Sequence, residues 1–62
     1  MSNINERAVD KVVKEMRSFR PGLTRERIVA IVEQYIESHF EPMAETSQDV
    51  WWAYQRALEE MT

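Results

Sequence analysis

The sequence predicts an all-α fold, a small three-helix bundle completed by homodimerisation. Apolar residues recur at helical spacing in three segments, each segment is preceded by residues that cap helices, and nothing alternates in the manner of a strand. A chain of 62 residues is expected to be one domain, spanning 1–62, that buries only about 60% of the surface its unfolded form exposes. Such domains gain stability from disulfides, a structural metal, regular helix packing or a partner subunit. Without cysteine, helix packing and self-association are what remain.

The first helix is predicted over about 4–19. Asn3 serves as its cap and Glu6, three residues on, can answer the cap's own backbone donor. Ile4, Ala8, Val12, Met16 and Phe19 form its stripe, widened by Val9 and Val13. Asp10 with Lys14 and Lys11 with Glu15 are opposite charges at i,i+4, each pair contributing roughly 0.2–0.5 kcal/mol on an exposed face. Pro21 stops the helix, because proline biases Arg20 away from α geometry and Gly22 can take a positive φ.

Thr24 caps the second helix, predicted over about 25–40, with Glu26 at the positive end of the helix dipole. Ile28, Val29, Ile31, Val32, Tyr35, Ile36 and Phe40 spread over about half its circumference, more than one neighbour covers, so this helix is expected at the centre. Glu41-Pro42 ends it. The third helix, predicted over about 47–61, opens on a capping box of Thr46 and Asp49. Its buried stripe is read as Val50, Tyr54, Ala57, Leu58 and Met61, with Trp51 at the edge.

A hydrophobic fraction of 44% with six aromatic residues excludes a disordered chain. No apolar run approaches the roughly 18 residues that cross a bilayer, and Met1 to Asn5 lacks the basic and apolar regions of a signal peptide, so a cytoplasmic protein without membrane contact is expected. The net charge of -3 conceals a polarity: the balance is +3 up to Arg27 and -6 from Ile28 onward. That asymmetry bears on association rather than on fold.

Catalysis needs converging polar groups, and few are present. The single imidazole is His39, and its neighbour Ser38 lies about 100° away around a helix, which is poor geometry for a base and its nucleophile. One histidine without cysteine is also a poor zinc set. No enzyme, cofactor or metal is therefore expected, and His39 is read as packing at the C-terminal end of the second helix.

Gly22-Leu23-Thr24-Arg25-Glu26-Arg27-Ile28 resembles the turn and recognition-helix start of helix-turn-helix proteins, and Leu23 to Ile28 is similar to the DNA-reading helix of bacterial sigma factors. Gly22, Leu23, Ile28 and Ile31 match that motif over about ten residues. The resemblance implies a nucleic-acid-binding regulator that reads with the 22–31 segment. Pro21, Arg17, Val29, Ala30 and Glu33 depart from the motif, and a chain of net charge -3 is ill suited to phosphate. Nucleic acid is therefore the second expectation. Ala53 to Glu59 looks like the second helix of a tetratricopeptide repeat, without the 34-residue period.

The first expectation is a helical protein–protein interaction module, a small regulator or inhibitor of a larger protein. Trp52 is its foremost contact residue, because the third helix's buried stripe points away from it. Either the ring anchors an interface or the loop from Phe40 to Glu45 folds back so that Pro42 or Met43 covers it. Arg56, one turn on, can stack over the indole, and Trp51 completes this set. Arg17, Arg20, Arg25 and Arg27 gather around one connection, where guanidinium forks suit carboxylate and phosphate alike.

Overall fold

A computed structural model describes residues 3–61. Its helices are α1 (Glu6–Met16), α2 (Arg25–His39) and α3 (Ser47–Met61), all packed on one core. No helix among the described residues is long and apolar enough to cross a membrane.

α1 is shorter than its apolar stripe suggests, at both ends. Its cap is Asn5, not Asn3: the Asn5 side chain accepts from the Arg7 N–H at 3.0 Å. The preceding residues are extended because they bond elsewhere. Ile4 and Ala44 form an isolated parallel bridge, with the Asn5 N–H donating to the Ala44 carbonyl at 2.9 Å and the Ala44 N–H to the Asn3 carbonyl at 3.1 Å. At the other end α1 stops at Met16. A longer helix would drive the ring of Pro21 into the carbonyl of Arg17, four residues back. Phe19 therefore lies beyond the helix and is 79% exposed rather than part of the core.

α2 begins as expected, with the Thr24 hydroxyl accepting from the Arg27 N–H at 3.3 Å. Its C-terminus is closed by Phe40 in the left-handed conformation, φ 54°, and both the Phe40 and Glu41 N–H groups donate to the Ile36 carbonyl. That is the geometry a helix usually gives to glycine. Phe40 turns its side chain away from the core and is 95% exposed, another departure from the expected stripe.

α3 opens on a reciprocal capping box, Asp49 N–H to the Thr46 hydroxyl at 3.1 Å and Thr46 N–H to the Asp49 carboxylate at 3.2 Å. The bond from the Thr46 N–H, with the Thr46 hydroxyl behind it, holds the Asp49 carboxyl below its ordinary pKa. Its buried face is Val50, Ala53, Tyr54 and Ala57, while Leu58 is half-buried and Met61 exposed. The face is thus turned towards Ala53 and away from Leu58 relative to the prediction. Two alanines on it let α1 and α2 approach together, so α3 rather than α2 is the helix most engaged by its neighbours.

Ile4, Val9, Ile28, Val32 and Val50 are the largest side chains fully withdrawn from water, each contributing roughly 1.5–3 kcal/mol. One contact defines how α3 lies on α2. The His39 imidazole, in the last turn of α2, meets Glu60 in the last turn of α3 at 2.9 Å. A simple antiparallel hairpin would set His39 beside the first turn of α3. α3 instead crosses α2, and the 40–46 segment makes the detour that this requires.

Candidate binding surfaces

The buried face of α3 leaves its two tryptophans on opposite flanks. Trp51 is half-buried and shares a groove with Val12 and Met16 of α1. Its ring stacks on Tyr54 with centroids 5.7 Å apart, and the Arg20 guanidinium stands 5.9 Å from the ring centre. Trp52 flanks α2. It meets Tyr35 edge to face at 6.2 Å, the Arg56 guanidinium lies 5.5 Å from the ring centre, and half of the residue remains exposed. Arg56 is itself steadied by Glu59 at 3.6 Å.

Beside Trp52 lies a groove of about 120 Å³ formed by Tyr35, Ile36, Pro42, Met43 and Ala53, with Glu41 and Asp49 also on its lining. The loop after α2 does fold back to this side, yet it supplies one wall of the groove rather than a cover, and Met43 is itself 47% exposed. Tyr35 and Glu41 belong to this surface and are not singled out as contacts by the sequence, whereas Met43, expected with Pro42 as a cover for the ring, lines the groove beside it. Tyr35 fits the apolar stripe of α2, so its half-shared position between core and groove has no local signal.

The arginines divide. Arg17, Arg20 and Arg25 line one concavity of about 570 Å³ with Lys14, Val13 and Leu23. Arg27 lies on a separate depression of about 240 Å³ with Gly22 and Tyr54, to which Arg20 also contributes. Arg25 is occupied within the fold: its Nε donates to Asp10 at 2.9 Å and its Nη2 to Glu6 at 3.4 Å. The Asp10 bond, more than any other contact, raises the Arg25 pKa above its already high ordinary value. Asp10 thus spans to the next helix instead of pairing with Lys14. Arg17 and Arg27 make no ion pair with a described residue.

Ser38 and His39 bond to different groups, the Ser38 hydroxyl to the Gln34 carbonyl and His39 Nδ1 to the Tyr35 carbonyl at 3.1 Å. The imidazole also stacks on Tyr35 at 4.3 Å. No cluster of three or more metal-ligating side chains occurs among the described residues. On α2, the helix that the helix-turn-helix resemblance would aim at bases, the exposed side chains include Glu26, Arg27, Ala30, Gln34 and Glu37. That face is more acidic than basic.

Compared with known protein families, curated proteins and solved structures, the chain matches none.

Proposed function

We propose that this protein is a helical interaction module that binds another protein through the Trp52 face, as a small regulator or inhibitor would. The observation that carries the reading is the way Trp52 is held. A half-exposed indole set on edge against Tyr35 and backed by Arg56 is an anchor ordered before any partner arrives. Little side-chain entropy then remains to be lost on binding, and aromatic anchors beside arginine dominate many interfaces. The adjoining groove gives a partner an apolar seat with a carboxylate edge.

The test is the Trp52→Ala variant. Because the ring is only half-buried, the variant is expected to lose about 1–2 kcal/mol of folding stability, short of the roughly 3–5 kcal/mol of a core truncation. It should fail to retain whatever protein of the native host the wild type retains. Undiminished retention removes the reading, and so does a core-sized loss of stability.

A second reading rests on Arg17 and Arg20 about the large concavity, a shape that also suits phosphate. It predicts retention on duplex DNA at low salt with release that steepens as salt rises. The acidic exposed face of α2 ranks it below the first.

A further inference from the structure

The groove beside Trp52 has the size and polarity to take one aromatic ring carried between positive charges. Its volume of about 120 Å³ is somewhat below the roughly 150 Å³ at which an engineered protein cavity binds benzene, and it is open on one side. Tyr35, Pro42, Met43 and Trp52 supply apolar walls, while Glu41 and Asp49 supply negative charge.

Two phenylalanines stand exposed among the described residues, Phe19 and Phe40. Phe40 adjoins Glu41 and lies one turn from Glu37, so presenting it to this groove would crowd carboxylates together. Phe19 has the opposite setting. It lies between Arg17 and Arg20, and Arg17 has no ion pair within the described fold. The chain therefore carries, on one molecule, a groove and a segment complementary to it in shape and charge, which do not meet within that molecule.

We infer that the occupant of the Trp52 groove is a second copy of this chain, which donates Phe19 with Arg17 beside it and receives the same segment in return. Donor and acceptor lie towards opposite ends of α2, whose 15 residues extend about 22 Å. Two copies laid antiparallel bring each Phe19 to the other's groove, so that one two-fold axis makes both contacts and closes the assembly as a dimer. The charge polarity of the chain, positive before Ile28 and negative after it, is then matched end to end. This inference rests on the reading of the Trp52 face as a contact surface and names what fills it.

Sedimentation of the whole chain at high micromolar concentration tests it, with circular dichroism of each variant as the check on folding. The wild type is expected to be a dimer. Phe19→Ala removes an anchor from both contacts and should weaken association on the order of a hundredfold without changing the helical spectrum. Trp52→Ala should weaken it comparably. Arg17→Glu alone, or Glu41→Lys alone, sets like charges together at both contacts and should weaken the dimer about tenfold. Mixed one to one, these two variants are complementary at both contacts and should form a heterodimer at close to wild-type affinity.

A monomeric wild type overturns the inference, and leaves the interaction reading to its own retention test. A dimer that Phe19→Ala leaves intact also overturns it; if Trp52→Ala weakens that dimer, the groove is a contact surface with a different occupant. A mixture no tighter than either charge variant alone overturns it as well.

Discussion

The two connections between helices are nearly equal in length and are held by different means. In the first, residues 17–24, every backbone bond is local: Phe19 and Arg20 N–H donate to the Met16 carbonyl and Leu23 N–H to the Arg20 carbonyl. Its long-range ties are made by side chains: the Arg20 guanidinium stands over Trp51, and at its far end Arg25, the first residue of α2, reaches Asp10 and Glu6. In the second, residues 40–46, the backbone itself reaches across the chain. Ala44 exchanges bonds with Asn3 and Asn5, and the Asn5 side chain donates to the Glu45 carbonyl at 3.2 Å. The two also use glycine in reverse. The first contains Gly22, which does not adopt a positive φ, and the second needs a left-handed residue and uses Phe40.

The difference separates a presented segment from a positioned wall. The fastened second connection fixes Pro42 and Met43 against Trp52, which is what makes a groove of defined shape. The first connection holds Arg17 and Phe19 out into solvent on a turn whose backbone bonds are all local. A receiving site gains from rigidity, because less ordering remains to be done on binding.

Cutting the long-range fastening should have the largest effect. Ala44→Pro removes the N–H that donates to Asn3, at a position only 4% exposed. Loss of that bond and a ring forced into a buried site should remove about 2 kcal/mol or more. In a domain of this length that lowers the melting temperature on the order of 10 °C. An unchanged thermal transition would mean that the second connection is held no more firmly than the first.

That fastening also marks the limit of what the sequence discloses. The caps at Thr24 and Thr46, the box with Asp49, and the stripes of all three helices depend on residues within a turn of one another, and they are legible. The bridge from Ile4 to Ala44 joins residues 40 apart and is made by backbone, which every residue carries. No side-chain pattern announces it, and so the start of α1 was placed too early. Gly22 can take the left-handed role because glycine permits it, although permission is not requirement. Phe40 holds that role because the path of the chain from α2 to α3 demands it there. For the candidate site, the exposure of Trp52 and the stacking of Arg56 follow from positions on one helix, whereas the groove depends on a crossing angle and a loop path that local spacing does not encode. The partners of Arg25 are hidden from local spacing for the same reason, since Glu6 and Asp10 sit on α1.

At the second connection a smaller, opposite effect is expected. An L-residue in the left-handed region costs roughly 1–2 kcal/mol, and glycine avoids this at the expense of about 0.5–1 kcal/mol of additional chain entropy. With the Phe40 side chain contributing almost no packing, Phe40→Gly should stabilise the fold by about 0.5–1 kcal/mol. Thermal denaturation of the variant gives the sign directly. A lower melting temperature would show that the exposed ring supports the connection, and the contrast with Gly22 would fail.

Gly22→Ala should have the smallest effect and the same sign. The glycine has no positive φ, and a Cβ built on its backbone meets nothing within 4 Å. Alanine can therefore occupy the native conformation without strain, while restricting the unfolded chain. The expected gain is about 0.4–1 kcal/mol, all of it through the unfolded state. Chemical denaturation at equilibrium should accordingly show a higher midpoint with little change in slope, since the surface exposed on unfolding is nearly the same. Placing both substitutions in one chain sharpens the comparison, because Gly22 and Phe40 sit in separate connections and share no contact, so their gains should add. Destabilisation by Gly22→Ala would mean that the first connection does depend on glycine, through a backbone state visited in solution. The turn carrying Phe19 would then be more mobile than a single conformation with only local bonds implies.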